Sequence, residues 1–237
     1  MRATLERNLI PGKTVVTAGF TTIESHINTA QPPLADKRVR QAMHYALDVP
    51  AIIRSLFAGL GKPMAGALAD TDFGHNPGIK PYPYDPARAR ALLGEAGVAG
   101  GVDVTLHAGM GTMVNDKQLL EVVADMWSKV GIRAKVAMME MGARQRMVNE
   151  RALPPGGPLL INVQSTLLDA DGSLWRIMHP TGLGGKYWAG GQPGHRFHEV
   201  MEQARYMLDP KKRRAKRVTF RPRPDFRLIV SEMSLSR

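Results

Sequence analysis

Two imidazoles stand three positions apart in His195-Arg196-Phe197-His198-Glu199. At that spacing both can meet one metal ion, but a zinc site needs three or four ligands and no third stands at motif spacing. Histidines exposed at a helix start are the plainer reading. Carboxylates come in pairs at Asp70/Asp72 and Asp169/Asp171. Such pairs can move protons or hold a cation, and in loops they also build turns. Gly182-Leu183-Gly184-Gly185-Lys186 has the residue types of a phosphate loop. It lacks the spaced first glycine and the Ser or Thr after the lysine. No Gly-x-Ser-x-Gly elbow occurs, and cysteine is absent, which excludes disulfides and thiolate metal sites. No catalytic group, cofactor or metal is expected.

The elements that would position these residues are legible from periodicity. Val39, Ala42, Met43, Ala46 and Leu47 fall at i, i+3, i+4, i+7 and i+8, which predicts a helix over 36–48 with Asp36 as its cap. Pro32-Pro33 stops that helix from starting earlier. A short helix follows Pro50 through Ile52, Ile53, Leu56 and Phe57, and Gly59 with Gly61 end it. Residues 61–84 are rich in Gly and Pro and read as a long ordered loop. Asp85-Pro86 opens a further helix with Ala89, Leu92 and Leu93 on its apolar face, ending at Gly97.

Val102–Leu106 and Ile132–Val136 alternate as strands. Between them, Asn115 or Asp116 starts a helix carrying Leu119, Leu120, Val123, Met126, Trp127 and Val130. The crossover implies adjacent parallel strands with a right-handed connection. A helix near 141–150 and a strand over 159–163 follow, and residues 13–20 read as another short strand. Alternating strands and helices of this kind predict an α/β domain.

The chain has 237 residues, 43% of them hydrophobic, and a formal net charge of +11. That charge is uneven, because residues 211–237 hold ten Lys/Arg against two Asp/Glu. The remainder is close to balanced, so no nucleic acid is expected as partner, although a basic tail leaves a nucleic-acid-binding module as an alternative. Arg221-Pro222-Arg223-Pro224 cannot continue a helix, and residues 216–237 are expected to be poorly ordered. No run of 18 apolar residues occurs, and Met1–Asn8 lacks the apolar core of a secretory signal. As written, the chain is expected to stay in the cytoplasm.

Several passages resemble one family. Pro32–Asp48, Pro81–Leu93 (PYPYDPARARALL), Trp127–Ile132, Asp169–Leu174 with His179, and Leu208–Arg214 (LDPKKRR) are similar, in order and spacing, to the C-terminal lobe of family 5 solute-binding proteins of ABC importers. The likeness runs from about residue 30 to 214. It implies a type II periplasmic-binding-protein-like α/β lobe with a mixed, mostly parallel sheet and with the N-terminal lobe missing. Residues 1–29 would be a remnant of the inter-lobe strand region, 30–214 the lobe, and 215–237 a basic tail unlike the family.

The resemblance implies capture of a peptide or other small solute outside the cytoplasm, delivery to an ABC permease in the membrane, and a monomer. A truncated fragment without function is a further alternative. The acidic and basic anchors that dipeptide-binding members use fall, without gaps, on Thr166 and Met110, and neither residue can replace them. The residues expected to line the cleft are Met110 and Thr112, then Gln164, Ser165, Thr166 and Asp169, all after strand ends where open α/β sheets place ligands. Trp188 would add a stacking surface. For Asp169 the first reading is the cap of the helix that begins before Ser173-Leu174-Trp175, ahead of ligand contact.

Overall fold

In a computed structural model, the structure describes residues 15–16, 21–29, 31–66, 68–150, 152, 157–164, 169–182, 196–212, 230–232 and 235–236. Three aspartates start the first three helices. Asp36 accepts the Arg38 backbone N–H at 2.7 Å and opens α1, Lys37–Tyr45. Asp48 accepts from Ala51 at 2.9 Å and opens α2, Val49–Leu56. Asp85 accepts from Arg88 at 2.9 Å and opens α3, Pro86–Glu95, with Pro86 in its first turn. Each carboxylate satisfies a donor that the first helical turn leaves without an intrahelical partner.

The expected β-α-β unit is present. Strand β4, Val102–Gly109, lies parallel to β5, Ile132–Met139, in register from Val102 beside Ile132 to Gly109 beside Met139. Helix α4, Asp116–Ser128, connects them. Gly97 and Gly131 follow α3 and α4 at φ of +78° and +93°, a left-handed region open to glycine without a Cβ clash. Helix α5, Met141–Asn149, follows β5 directly and leads to β6, Pro158–Gln164, which runs parallel to β4.

One long strand has no counterpart in the sequence reading. Short β1 occupies Val15–Val16, within the predicted 13–20 segment, but the sheet strand here is β2, Thr21–Ile27. It pairs antiparallel with all seven residues of β6. The main sheet has the order β3-β7-β2-β6-β4-β5, where β3 is Lys62–Pro63 and β7 is Val230–Glu232. The sheet is mixed as expected but not mostly parallel: among the described strands the two pairings made by β4 are parallel, and the three among β6, β2, β7 and β3 are antiparallel.

The expected lack of order over 216–237 does not hold at two places. Strand β7 sits between β2 and β3, and β8, Leu235–Ser236, pairs with β1. Val230-Ser231-Glu232 has the alternation of a strand, which the surrounding arginines and prolines obscure. Residues 213–229 lie outside the described residues. Among the described residues, no helix is long and apolar enough to cross a membrane.

One face of the sheet carries the core. Ile23, Val104, Leu106 and Ala108 meet Val39, Ala42 and Met43 of α1, Ile52 and Ile53 of α2, Ala89, Leu92 and Leu93 of α3, and Leu119, Leu120, Val123 and Trp127 of α4. Trp127 is fully buried, and its indole N–H donates to the Met43 carbonyl at 3.0 Å, so its polar atom is satisfied inside the core. The opposite face is partly polar. His26, Leu159 and His107 lie in one row across β2, β6 and β4. Buried Glu24 holds His26 at 3.0 Å and Arg176, from α6 (Ala170–Met178), at 3.1 Å.

Candidate functional site

Strands β4 and β5 end level with each other, and their shared rim carries the first group of expected cleft residues. The Met110 N–H donates to the Met139 carbonyl at 2.9 Å, extending the pairing one step beyond the strands. Thr112 Oγ1 donates to the Gly109 carbonyl at 3.1 Å. Gly111 turns the chain at φ +72°, and its N–H donates to Asp116 Oδ2 at 2.6 Å. Asn115, at φ +60°, donates from Nδ2 to the Leu56 carbonyl at 2.7 Å, which fastens this turn to α2. The rim is therefore held by its own backbone and by a neighbouring helix.

This fixed rim presents apolar side chains to solvent. Met110 is 49% exposed, Val114 55% and Met141 43%, although each is large and apolar. Scattered exposed apolar residues are ordinary, but these three lie at one end of one strand pair. Gly109 lets α5 come close: a Cβ there would lie 2.6 Å from Arg144 Cδ and 2.9 Å from Met141 Sδ. Arg144 is half-buried, and burial pushes its guanidinium below its ordinary range. Arg144 did not stand out in the sequence, whereas Met141 is one of the methionines, with Met138, Met139 and Met147, that could suit an adaptable surface but read by default as packing. The signal available was their place in the first turn or two after the end of β5.

The second group begins on the neighbouring strand. Leu160 of β6 lies beside Ala108 in parallel register, so Gln164 stands two residues, about 7 Å, past the level of Met110 at the same end of the sheet. On its other side its backbone pairs with Thr21 of β2. Ser165, Thr166 and Trp188 lie outside the described residues, as do Leu183–Lys186 of the glycine-rich stretch. Asp169 is at the start of α6, where its carboxylate accepts the Asp171 N–H at 2.8 Å. The capping role is thus present. Phe73, from the long loop, bridges to Asp169 and accepts the Ala170 N–H at 2.9 Å.

Each carboxylate of the two acidic pairs takes a partner of its own. Asp70 is bound to Lys62, and that hydrogen bond holds its carboxyl below the usual range. Asp72 is buried and accepts the Ala69 N–H at 3.0 Å. Burial pushes its carboxyl up, the Ala69 bond opposes this, and Asp169 adds to the rise. Asp171 instead meets Arg205 at 3.5 Å. These contacts tie loop to helix and helix to helix, and none gathers the three or more ligands of a metal site among the described residues.

The histidine reading needs a correction. His198 lies in α7, Arg196–Arg205, and is buried rather than exposed, because α7 packs it toward His179 at 5.5 Å between ring centroids. The His179 ring stacks on Trp175 at 3.5 Å, the Arg205 guanidinium lies 4.3 Å from the Trp175 ring, and Glu202 approaches His179 at 3.5 Å. Trp175 and His179 sit four apart along and just beyond α6, a spacing that puts them on one face. This is a stacked cation–aromatic joint between α6 and α7. His195 lies outside the described residues.

Comparison with known proteins bears on the family and the fold. Residues 5–183 match the family described as "Bacterial extracellular solute-binding proteins, family 5 Middle". The chain is 36% identical over 119 residues to the dipeptide-binding protein of Escherichia coli K12, covering 48% of this chain and 22% of that protein. It is 36% identical over 129 residues to di/tripeptide-binding protein 1 of Pseudomonas aeruginosa, 53% of this chain and 24% of that protein. In fold it is similar to the periplasmic binding protein DppA of Helicobacter pylori in complex with the peptide STSA. That match has a TM-score of 0.83 at 21% identity and covers 99% of this chain and 46% of that one. The chain thus spans about half the length of the solved structure, and its alignments cover about a quarter of the curated relatives.

Proposed function

The chain belongs to the family 5 bacterial extracellular solute-binding proteins, and on that premise we propose that it is the C-terminal solute-contacting lobe of an ABC importer's peptide-binding component. Residues 30–214, with β2 and β7 completing their sheet, form the lobe, and the rim at Met110, Thr112 and Met141 is its ligand face. One observation carries this: two parallel strands end in register at a turn fastened by backbone bonds, with large apolar side chains left exposed there. Strand ends of open α/β sheets are where such folds take ligands. In two-lobed binders, closure of a second lobe over such a face completes the trap.

The relatives named for dipeptides and di/tripeptides support a peptide-like solute. An acidic anchor for a peptide amine is absent at Thr166, so the rim favours apolar side chains over a free amine. The protein acts by capture and not by catalysis, outside the cytoplasm, as a monomer that hands its solute to a membrane permease. A photoreactive Leu-Met peptide tests the site directly. Cross-linking to the full chain followed by peptide mapping is expected to label residues 110–114 and 139–144, with competition by unlabelled peptide. Label that maps elsewhere, or that free peptide does not displace, overturns the assignment.

A further inference from the structure

The chain holds fourteen methionines and no cysteine, so thioether is its one form of oxidisable sulfur. The fold sorts these side chains by access to water. Met43 is fully buried and Met201 nearly so, while Met113, Met126 and Met138 pack partly buried against the core. Among the described residues, Met110 and Met141 are the two methionines left exposed, at 49% and 43%. Both stand at the joined end of β4 and β5. The frame beneath them does not use their side chains: backbone N–H groups of Met110 and Gly111 donate to the Met139 carbonyl and to Asp116, and Asn115 donates to the Leu56 carbonyl. Met141 lays its sulfur over Gly109, which has no Cβ to push it aside.

We propose that Met110 and Met141 are a reversible oxidation site, through which a peroxide turns off capture of apolar solutes at this rim. This rests on the ligand face assigned above. The sulfur lone pair attacks one peroxide oxygen. An S–O bond forms as the O–O bond breaks, and the departing hydroxide takes a proton and leaves as water. Sulfur gives up two electrons and the peroxide accepts them, so each thioether becomes a polar, chiral sulfoxide. An apolar solute group seated on that sulfoxide would take water from its oxygen and bring no donor in exchange. The backbone bonds of the turn are untouched, so the fold outlasts the change. Methionine sulfoxide reductases return two electrons from thiols and restore the thioether, one enzyme for each sulfoxide epimer.

The full chain is treated with hydrogen peroxide for graded times, freed of peroxide, and mapped by peptide mass spectrometry. The same samples are titrated with N-acetyl-Leu-Val, a probe without sulfur, with methionine-methyl NMR as readout. Met110 and Met141 are expected to gain one oxygen each about tenfold faster than Met43. Their oxidation should weaken the probe about tenfold and leave the urea midpoint unchanged. The two reductases with dithiothreitol should restore the affinity. Met110→Leu/Met141→Leu offers no sulfur at the rim, and its affinity, whatever its starting value, should be the same before and after peroxide. Met43 oxidised as fast as the rim pair, an affinity indifferent to their oxidation, or a loss that persists in the double variant or comes with a lower urea midpoint overturns the oxidation site and leaves the ligand face standing. If the probe at about 10 mM moves neither the Met110 nor the Met141 methyl of the untreated chain, both are overturned.

Discussion

Trp127 shows how much one side chain can hold. It fills the centre of the core and donates its indole N–H to the Met43 carbonyl at the end of α1. Trp127→Phe keeps most of the apolar volume but removes that bond, and is expected to cost about 1–3 kcal/mol in urea unfolding. His44, stacked on Tyr82 at 4.7 Å, is pushed down to about 3 by burial, with the Arg40 charge adding. The unfolded imidazole takes up its proton near 6.5. The unfolded chain therefore binds the proton first, and stability present above about pH 6.5 is lost as the pH falls toward about 3. His44→Phe keeps a ring against Tyr82 and is expected to flatten the drop in urea midpoint between about pH 7 and about pH 4.

The helices and strands were readable to different degrees, for reasons visible in single residues. Asp36 and Asp85 announced their helices because a carboxylate two or three positions ahead of a backbone N–H is a local device. Strand β2 was hidden because its non-core face carries Glu24 and His26, and the buried Glu24 carboxylate is met by Arg176, 152 positions away. Two glycines carry opposite predictions. A Cβ on Gly109 would meet the flexible ends of Arg144 and Met141, whereas a Cβ on Gly157 would come within 2.1 Å of the Thr105 carbonyl. Side-chain ends can turn aside and a strand carbonyl cannot. Gly157→Ala is expected to destabilise the fold more than Gly109→Ala, while Gly109→Ala should shift the NMR signals of α5; calorimetric melts of both variants check the order.

At the scale of the molecule, the sheet joins the two ends of the chain. Strand β7 is inserted between β2 and β3, and Glu24 of β2 meets Arg176 of α6. Ser231→Pro removes a backbone donor from a strand with neighbours on both sides. It is expected to lower stability by about 1 kcal/mol or more, where an unordered tail would show no effect. Arg176→Leu removes one partner of the buried Glu24 carboxylate and should cost about 1–3 kcal/mol in the same denaturant assay.

What the sequence alone determined was everything set by near neighbours: the capped helices, the parallel β4–α4–β5 unit, the glycine stops, and a family likeness that the match over residues 5–183 bears out. Local periodicity and capping act within a few positions, so they are written in consecutive residues. Only the tertiary structure decided the rest. It carried Gln164 about two residues beyond the level of Met110, buried His198, brought Asp169 near Asp72, and brought Arg144 over Gly109. Each of those depends on which strands lie side by side and in what register, and register is settled by contacts between residues far apart along the chain.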